Sequence, residues 1–479
     1  MMEILAVLGL PLMGGVLLAL WGHRSRAPEL NVLVSLGTFA ASILLAVKIL
    51  LTGPMIALDE QFFVDSFNVF LVVLTAFVSF TTAMFSRPYM RNERILSSLS
   101  NYQIRLYHSM YQVFCFTMLL ALTTNNLGIL WVAMEGATLA TVLLVSLYRT
   151  RESLEAAWKY FILCGVGIAQ ALFGTILIYF AAEKVLGAGG TALLWTHLNA
   201  AKGFLEPTVL SIAFVFLLIG YGTKVGLVPL HSWLPDAHAE GPTPVSAVLS
   251  GLLLNVALYA VVRCKILVEG ALHNRFADDL MMGFGLLSVL TAAFLLWRQK
   301  DIKRLFGYSS IEHMGLITFS FGIGANFAGL LHMTVHSLTK SAIFFAVGHA
   351  VQRSGTKTMD SIRGLIQSPA IGWGLMLGAL AILGMPPFGV FTSEFLILTH
   401  AMQSHPWTTP VLLLALGVAF AAIFGKVQSM VWGESTGENL PHPPASLPIL
   451  LHLSLVLLLG LYIPPHLAKW YHEAARLIG

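Results

Sequence analysis

Gly220-Tyr221-Gly222-Thr223-Lys224-Val225-Gly226-Leu227-Val228-Pro229 closes an apolar run that begins near residue 207. A run of about 20 such residues is long enough to cross a hydrocarbon core. A charged lysine inside it costs about 3 kcal/mol. Pro229 lacks a backbone donor and clashes with the preceding turn, so the helix has to break there. A helix broken within lipid exposes unpaired backbone groups, which must be buried in protein or line a wet cavity. This stretch predicts a membrane protein built around an ionisable interior.

The rest of the chain agrees. Its 479 residues are 57% hydrophobic and only 10% charged, with a mean hydropathy of +0.80. A soluble domain carries about 25% charged residues, so this chain lacks the charge to cover a water-facing surface. The net charge of +4 is spread over short loops, and no basic tract reads as a nucleic-acid site. Cys115, Cys164 and Cys264 lie in or beside apolar segments without a C-x-x-C pair. That pattern predicts no iron–sulfur cluster, structural zinc or disulfide framework, and no cofactor is expected on this chain. The first apolar stretch, residues 4–21, is expected to stay as a helix because no small-residue cleavage site follows it.

The predicted class is an all-α polytopic membrane protein with about fourteen transmembrane helices. The expected spans are 2–22, 30–51, 64–86, 108–124, 126–147, 158–182, 207–230, 242–264, 279–297, 303–324, 326–350, 370–400, 408–432 and 446–463. Basic residues gather in the loops after odd-numbered spans, for example Arg87, Arg91 and Arg94 after span 3 and Arg298, Lys300, Lys303 and Arg304 after span 9. Such loops face the cytoplasm. Both termini are then expected outside, which requires an even number of spans.

Span 12 is interrupted like span 7. It reads Gly384-Met385-Pro386-Pro387-Phe388-Gly389 and then reaches Glu394. Residues 108–264 and 279–432 thus read as two five-helix units of one membrane domain, each broken at its fourth helix and starting on opposite sides of the membrane. Paired breaks of this kind point to inverted repeats around an ion path. Residues 1–107 and 446–479 are expected to be peripheral.

Four charges fall within spans: Glu135, Lys224, Lys340 and Glu394. Together they would cost on the order of 10 kcal/mol, comparable to the whole stability of a domain. Structural ion pairs that fix helix register are the alternative to an ion path. His332, His336 and Lys340 are spaced i, i+4, i+8 and share one helix face. Histidine accepts and donates near neutral pH, which suits a relay. A metal site at these histidines lacks an obvious third ligand, and Lys340 would repel a cation. His231 and His238, in the Pro- and His-rich segment after the first break, are candidates for proton intake on the cytoplasmic side, with Lys159 at the start of span 6 a further candidate on that side; a rigid loop with solvated side chains is the alternative. Glu312 and His313, with Ser309 and Ser310, are candidates for a polar link between the units; polar helix packing is the alternative. A lysine near a carboxylate works as a two-position proton switch. Ionised Glu135 stabilises protonated Lys224, and without that charge burial favours the neutral amine.

At these residues the chain resembles the antiporter-like membrane subunits of proton-pumping respiratory complex I and of Mrp sodium/proton antiporters. The most specific stretch runs from Lys224 through Trp233-Leu234-Pro235-Asp236-Ala237-His238-Ala239-Glu240-Gly241-Pro242-Thr243-Pro244-Val245. The segment Trp158–Gly174 is further similar to component F of hydrogenase-4, within the group 4 membrane-bound NiFe hydrogenases. The resemblance implies fourteen helices, broken helices 7 and 12, a Glu135–Lys224 pair, and Lys340 and Glu394 at the family's later positions. It also implies a proton path driven by redox chemistry in partner subunits. The expected partners are other membrane subunits of the same family, small membrane subunits, and a peripheral arm with NiFe or NADH-type centres. The expected location is a bacterial or archaeal cytoplasmic membrane. The chain departs from the pattern at Asn255, where some members carry a lysine, which interrupts the charge row. It also ends soon after span 14, without the long lateral helix of the distal complex I subunit. Three other functions share these features: an Mrp-type Na+/H+ antiporter subunit, a non-conducting membrane anchor, and a membrane partner of an inorganic-carbon uptake system.

Overall fold

A computed structural model of the chain describes residues 1–434 and 440–479. The helices of the first half are α1 (Met2–Trp21), α2 (Ala27–Thr52), α3 (Ser66–Leu96), α4 (Asn101–Thr123), α5 (Leu127–Val145), α6 (Arg151–Leu186), α7 (Trp195–Ala201), α8 (Pro207–Val225), α9 (Trp233–Glu240), α10 (Thr243–Val248) and α11 (Leu254–Leu272). The second half holds α12 (Phe276–Leu296), α13 (Ile302–Gly322), α14 (Asn326–Ser354), α15 (Pro369–Ile382), α16 (Gly389–Ser404), α17 (Thr408–Val431), α18 (Ser446–Leu461) and α19 (Pro465–Ile478). A short antiparallel hairpin, β1 (Met55–Ala57) and β2 (Phe62–Val64), links α2 to α3.

Local chemistry sets where these helices start. Asp65, Asn126, Thr150 and Asp301 precede α3, α5, α6 and α13, and each side chain accepts a bond from a free first-turn amide. Among the described residues, eleven helical segments are long and apolar enough to cross a membrane, with α10 and α11 joined through a π-helical stretch, Leu249–Leu253, as one of them. A twelfth is added if α18 and α19, bent by 82°, count together. Fourteen spans result only if α13 and the broken α15–α16 pair also cross. Lys303, Arg304, Glu312 and His313 make α13 less apolar than α12 before it. The chain is a multi-pass α-helical membrane protein.

The predicted breaks are where the sequence put them, and their backbone is satisfied. At the first, α8 ends at Gly226 with φ +83°, a conformation that glycine adopts without strain. The amide of Leu227 returns to the Gly222 carbonyl at 2.9 Å. The Val228 amide is held by Ser288 Oγ at 2.9 Å, and the Trp233 indole donates to the Thr223 carbonyl at 2.8 Å. At the second, Gly384 has φ +65° and the Met385 amide returns to Leu380 at 3.1 Å. Both prolines, Pro229 and Pro387, follow cis peptide bonds.

Burial is uneven. The hydropathic core of α14 and the continuous span Thr243–Leu272 are buried throughout. By contrast α6 turns Trp158, Ile162, Val166, Phe173 and Phe180 outward, an apolar face suited to lipid or a neighbouring helix. Its inner face meets α8 at small residues: a Cβ at Gly220 would fall 2.7 Å from the Gly167 carbonyl oxygen and 2.6 Å from the Ala171 amide. Such contacts let helix backbones approach closely in lipid. A buried ion pair ties α11 to the start of α3, with Arg263 donating to Asp65 at 2.8 Å. The guanidinium also lies over the rings of Phe63, Phe67, Trp195 and Tyr259 at 4.4–5.6 Å.

Candidate ion path

Lys224 sits in the last turn of α8, one residue before its C-terminal residue. Its amine is fully buried and has no hydrogen-bond partner. Cys164 of α6 and Glu135 of α5 are the acidic groups that act on it. Glu135 is half-buried and takes a bond from Thr138 Oγ1 at 3.3 Å. No ion pair closes between Glu135 and Lys224: among the described residues no Lys224 salt bridge lies within 4.0 Å. The pairing expected from the sequence is therefore a facing, not a contact.

The Pro- and His-rich segment splits in the structure. Lys159 binds Asp236 at 2.6 Å, and Arg304 joins the same carboxylate from α13. His231 stands in the partly open connector between α8 and α9, beside Tyr308. Burial there holds its imidazole below the ordinary range; the Lys159 charge adds to this, against a backbone bond at Pro229. His238 is buried, stacks on Phe344 at 5.0 Å and has no partner on either ring nitrogen. The two histidines thus differ in access, although they read alike in the sequence.

A polar cavity of about 660 Å³ opens on the same side, lined by Glu93, Tyr148, Glu240, Lys303 and Lys357 among others. Within it, Glu93 accepts from Tyr148 at 2.9 Å, Ser97 at 3.0 Å and Gln352 at 2.8 Å. Lys303 is buried against the Gly241 carbonyl, and its charge acts on His238. Sequence reasoning counted Lys303 only as a loop charge and passed over Glu93. The tyrosine and acid at the ends of α3 and α5 were the available signal.

Past this region the row runs along α14. Lys340 is fully buried, donates to the Phe306 carbonyl at 3.2 Å and lies over that residue's ring at 5.8 Å. Glu312 of α13 is the carboxylate that acts on it. Asn255, on α11, donates to Ser337 Oγ at 2.8 Å, so the departure from the lysine pattern lies directly against α14. One turn from Lys340, His336 is buried with both nitrogens unpartnered, and its ring centre is 5.8 Å from that of His313. His313 Nδ1 and His332 Nε2 are 3.0 Å apart. Glu394 Oε1 lies 3.9 Å from His313 Nδ1. Its other oxygen folds back over the second break, where a Cβ at Gly384 would fall 2.0 Å from it. His332 thus clusters in space with His313 and Glu394, their ligand atoms within 4.8 Å of one another, rather than with His336 as its spacing in the sequence suggested. The polar patch of α13 reaches α14 and α16 through His313, and its Ser310 Oγ meets Ser250 Oγ of the first unit at 2.7 Å.

Residues 124–420, more than half of the chain, match the family described as NADH:quinone oxidoreductase/Mrp antiporter, TM. The chain is 50% identical over 481 residues to the hydrogenase-4 component F homolog of Methylacidiphilum infernorum, covering 100% of both. It is 32% identical to NADH-quinone oxidoreductase subunit M of Pseudomonas aeruginosa over 66% of this chain and 62% of that one. The same fold recurs in the archaeal membrane-bound sulfane sulfur reductase (TM-score 0.88, 24% identity, 99% of this chain and 97% of that chain). It recurs in the Mrp complex from Dietzia sp. as well (TM-score 0.84, 18% identity, 100% and 98%). An ionisable row inside a helical membrane domain with two broken helices, together with these matches, places the chain in the NADH:quinone oxidoreductase/Mrp antiporter membrane family.

Proposed function

We propose that this chain carries protons across a membrane as the antiporter-like subunit of a redox-driven complex of the hydrogenase-4 or complex I type. The observation that carries the reading is the state of its two central lysines. Lys224 and Lys340 are wholly buried, and neither closes an ion pair among the described residues. A lysine kept only to fix helix register would be paired, because removing a buried charge from water costs several kcal/mol that only a close partner offsets. An unpaired buried amine is instead a group that loses and regains its proton easily.

Protons would reach Lys224 past Glu135, and Lys340 from the polar cavity through His238. They would then pass His336, His332 and His313 to Glu394. Glu312 beside Lys340 repeats the arrangement of Glu135 beside Lys224. Such pairs titrate together, so the switch belongs to the pair. The name carried by the 50% identical relative supports a hydrogenase-type setting. We assign the chain partners of its own family, small membrane subunits and a peripheral arm with NiFe or NADH-type centres. We place it in a bacterial or archaeal cytoplasmic membrane with both termini outside, and read residues 108–264 and 279–432 as the two inverted units.

The test is the double variant Lys224→Ala, Glu135→Gln in the whole complex reconstituted into vesicles. Substrate turnover is expected to continue while vesicle acidification per turnover falls at least tenfold. Normal acidification by an assembled, active double variant would overturn the proposal.

A further inference from the structure

We propose that His313, His332 and Glu394 form a binding site for a divalent transition-metal cation of the zinc type. The three side chains come from α13, α14 and α16, all are buried, and their ligand atoms all lie within 4.8 Å of one another. Zinc–nitrogen bonds of about 2.0–2.1 Å at tetrahedral angles separate ligand atoms by about 3.3 Å. The histidine nitrogens stand 3.0 Å apart and the His313–Glu394 pair 3.9 Å apart, so both pairs lie within about 0.6 Å of that spacing.

Tautomers favour it as well. The Ser393 hydroxyl gives its single hydrogen to its own helix, with carbonyls at 2.9 Å (Val390) and 3.2 Å (Gly389). With that hydrogen kept on the helix, the hydroxyl accepts from His332 Nδ1 at 2.8 Å. This leaves the lone pair of His332 Nε2 facing His313 and oriented by a hydrogen bond on the opposite side of the ring, the arrangement typical of metal-ligating histidines. One proton satisfies the His313–His332 contact, and a metal ion replaces it. His336, buried with both nitrogens unpartnered and its ring 5.8 Å from that of His313, is the candidate fourth ligand. Two imidazoles and a carboxylate suit zinc better than magnesium or calcium, which prefer all-oxygen shells. The Lys340 amine is engaged at Phe306; its charge reaches His313 and His336, and Glu312 beside it opposes that charge. The inference stands on coordination geometry and holds whether or not the chain conducts protons.

The test uses the purified, chelator-stripped complex containing the full chain, with Zn2+ uptake measured by equilibrium dialysis and Co2+ as an optical probe. Assembled wild-type complex should take up one more Zn2+ than the His332→Gln, Glu394→Gln double variant and show the intense visible bands of four-coordinate Co2+. Ser393→Ala, which keeps every ligand, should weaken binding about 10- to 100-fold. His108→Gln, which alters a buried histidine elsewhere in the fold with neither nitrogen partnered, should bind as wild type. Equal Zn2+ uptake and affinity in wild type and the assembled double variant would overturn the site. So would loss of the extra ion in His108→Gln.

Discussion

Asn255 Nδ2 donates to Ser337 Oγ at 2.8 Å and thereby joins α11 to α14 between His336 and Lys340. Ser337 itself donates to backbone carbonyls, at Met333 over 2.9 Å and at Gly251. Asn255, the departure noted in the sequence, is thus a polar bridge in this chain. Asn255→Leu, similar in volume, should lower stability by about 1–3 kcal/mol through the unsatisfied groups it leaves. It should also slow proton movement. Thermal unfolding in detergent and vesicle acidification measure the two effects; an unchanged midpoint would show the bridge to be dispensable.

Lys340→Met separates function from stability. It replaces a buried, unpaired amine with an apolar chain of similar length. Since burying an ammonium is costly and an apolar group is not, the variant should be as stable as wild type or more so, by about 1–3 kcal/mol. Proton translocation should fall at least tenfold. A variant that is both destabilised and fully conducting would contradict the role assigned to Lys340.

The Asp65–Arg263 pair should behave in the opposite way. Arg263→Met leaves Asp65 buried without its counter-charge, and breaking a buried pair from one side costs about 3–5 kcal/mol. Asp65 also caps α3, so loosening should begin at the α2–α3 hairpin. Hydrogen exchange of residues 55–70 is expected to speed up before that of α14.

Gly220→Val tests the α6–α8 contact. The added Cβ meets backbone atoms, which cannot rotate aside, and two methyl groups follow it, so the helices must separate at a cost of about 1–3 kcal/mol. Lys224 lies one turn further along the same helix and should move with it. Reduced acidification at normal subunit assembly is the expected result, measured in the reconstituted complex.

Much of this arrangement was legible in the sequence, and the reasons are local. The breaks after Lys224 and before Glu394 follow from Pro, Gly and apolar flanks, which act within a few residues. The buried charges were legible because lipid makes each one expensive. Which carboxylate faces Lys340 was not legible. Glu312 reaches Lys340 because α13 packs on α14, and Glu394 reaches His313 because the second break turns α16 inward; neither depends on local spacing. Lys303 read as a loop charge because burial by Gly241 and the nearby cavity is a tertiary effect. The number of spans is ambiguous for a related reason. The polar groups that make α13 chemically useful also lower its hydropathy below that of an ordinary span.

Helix α14 is enclosed along its hydropathic core by segments of its own chain. Neither lipid composition nor the identity of an adjoining subunit touches the groups it carries. Glu135 differs, since its side chain is half open on the flank of α5. The assembly thus behaves like an insulated conductor whose bare ends are Glu135 and the polar cavity beside Lys303: its interior can serve unrelated machines unchanged, and what drives or gates it can act at those ends.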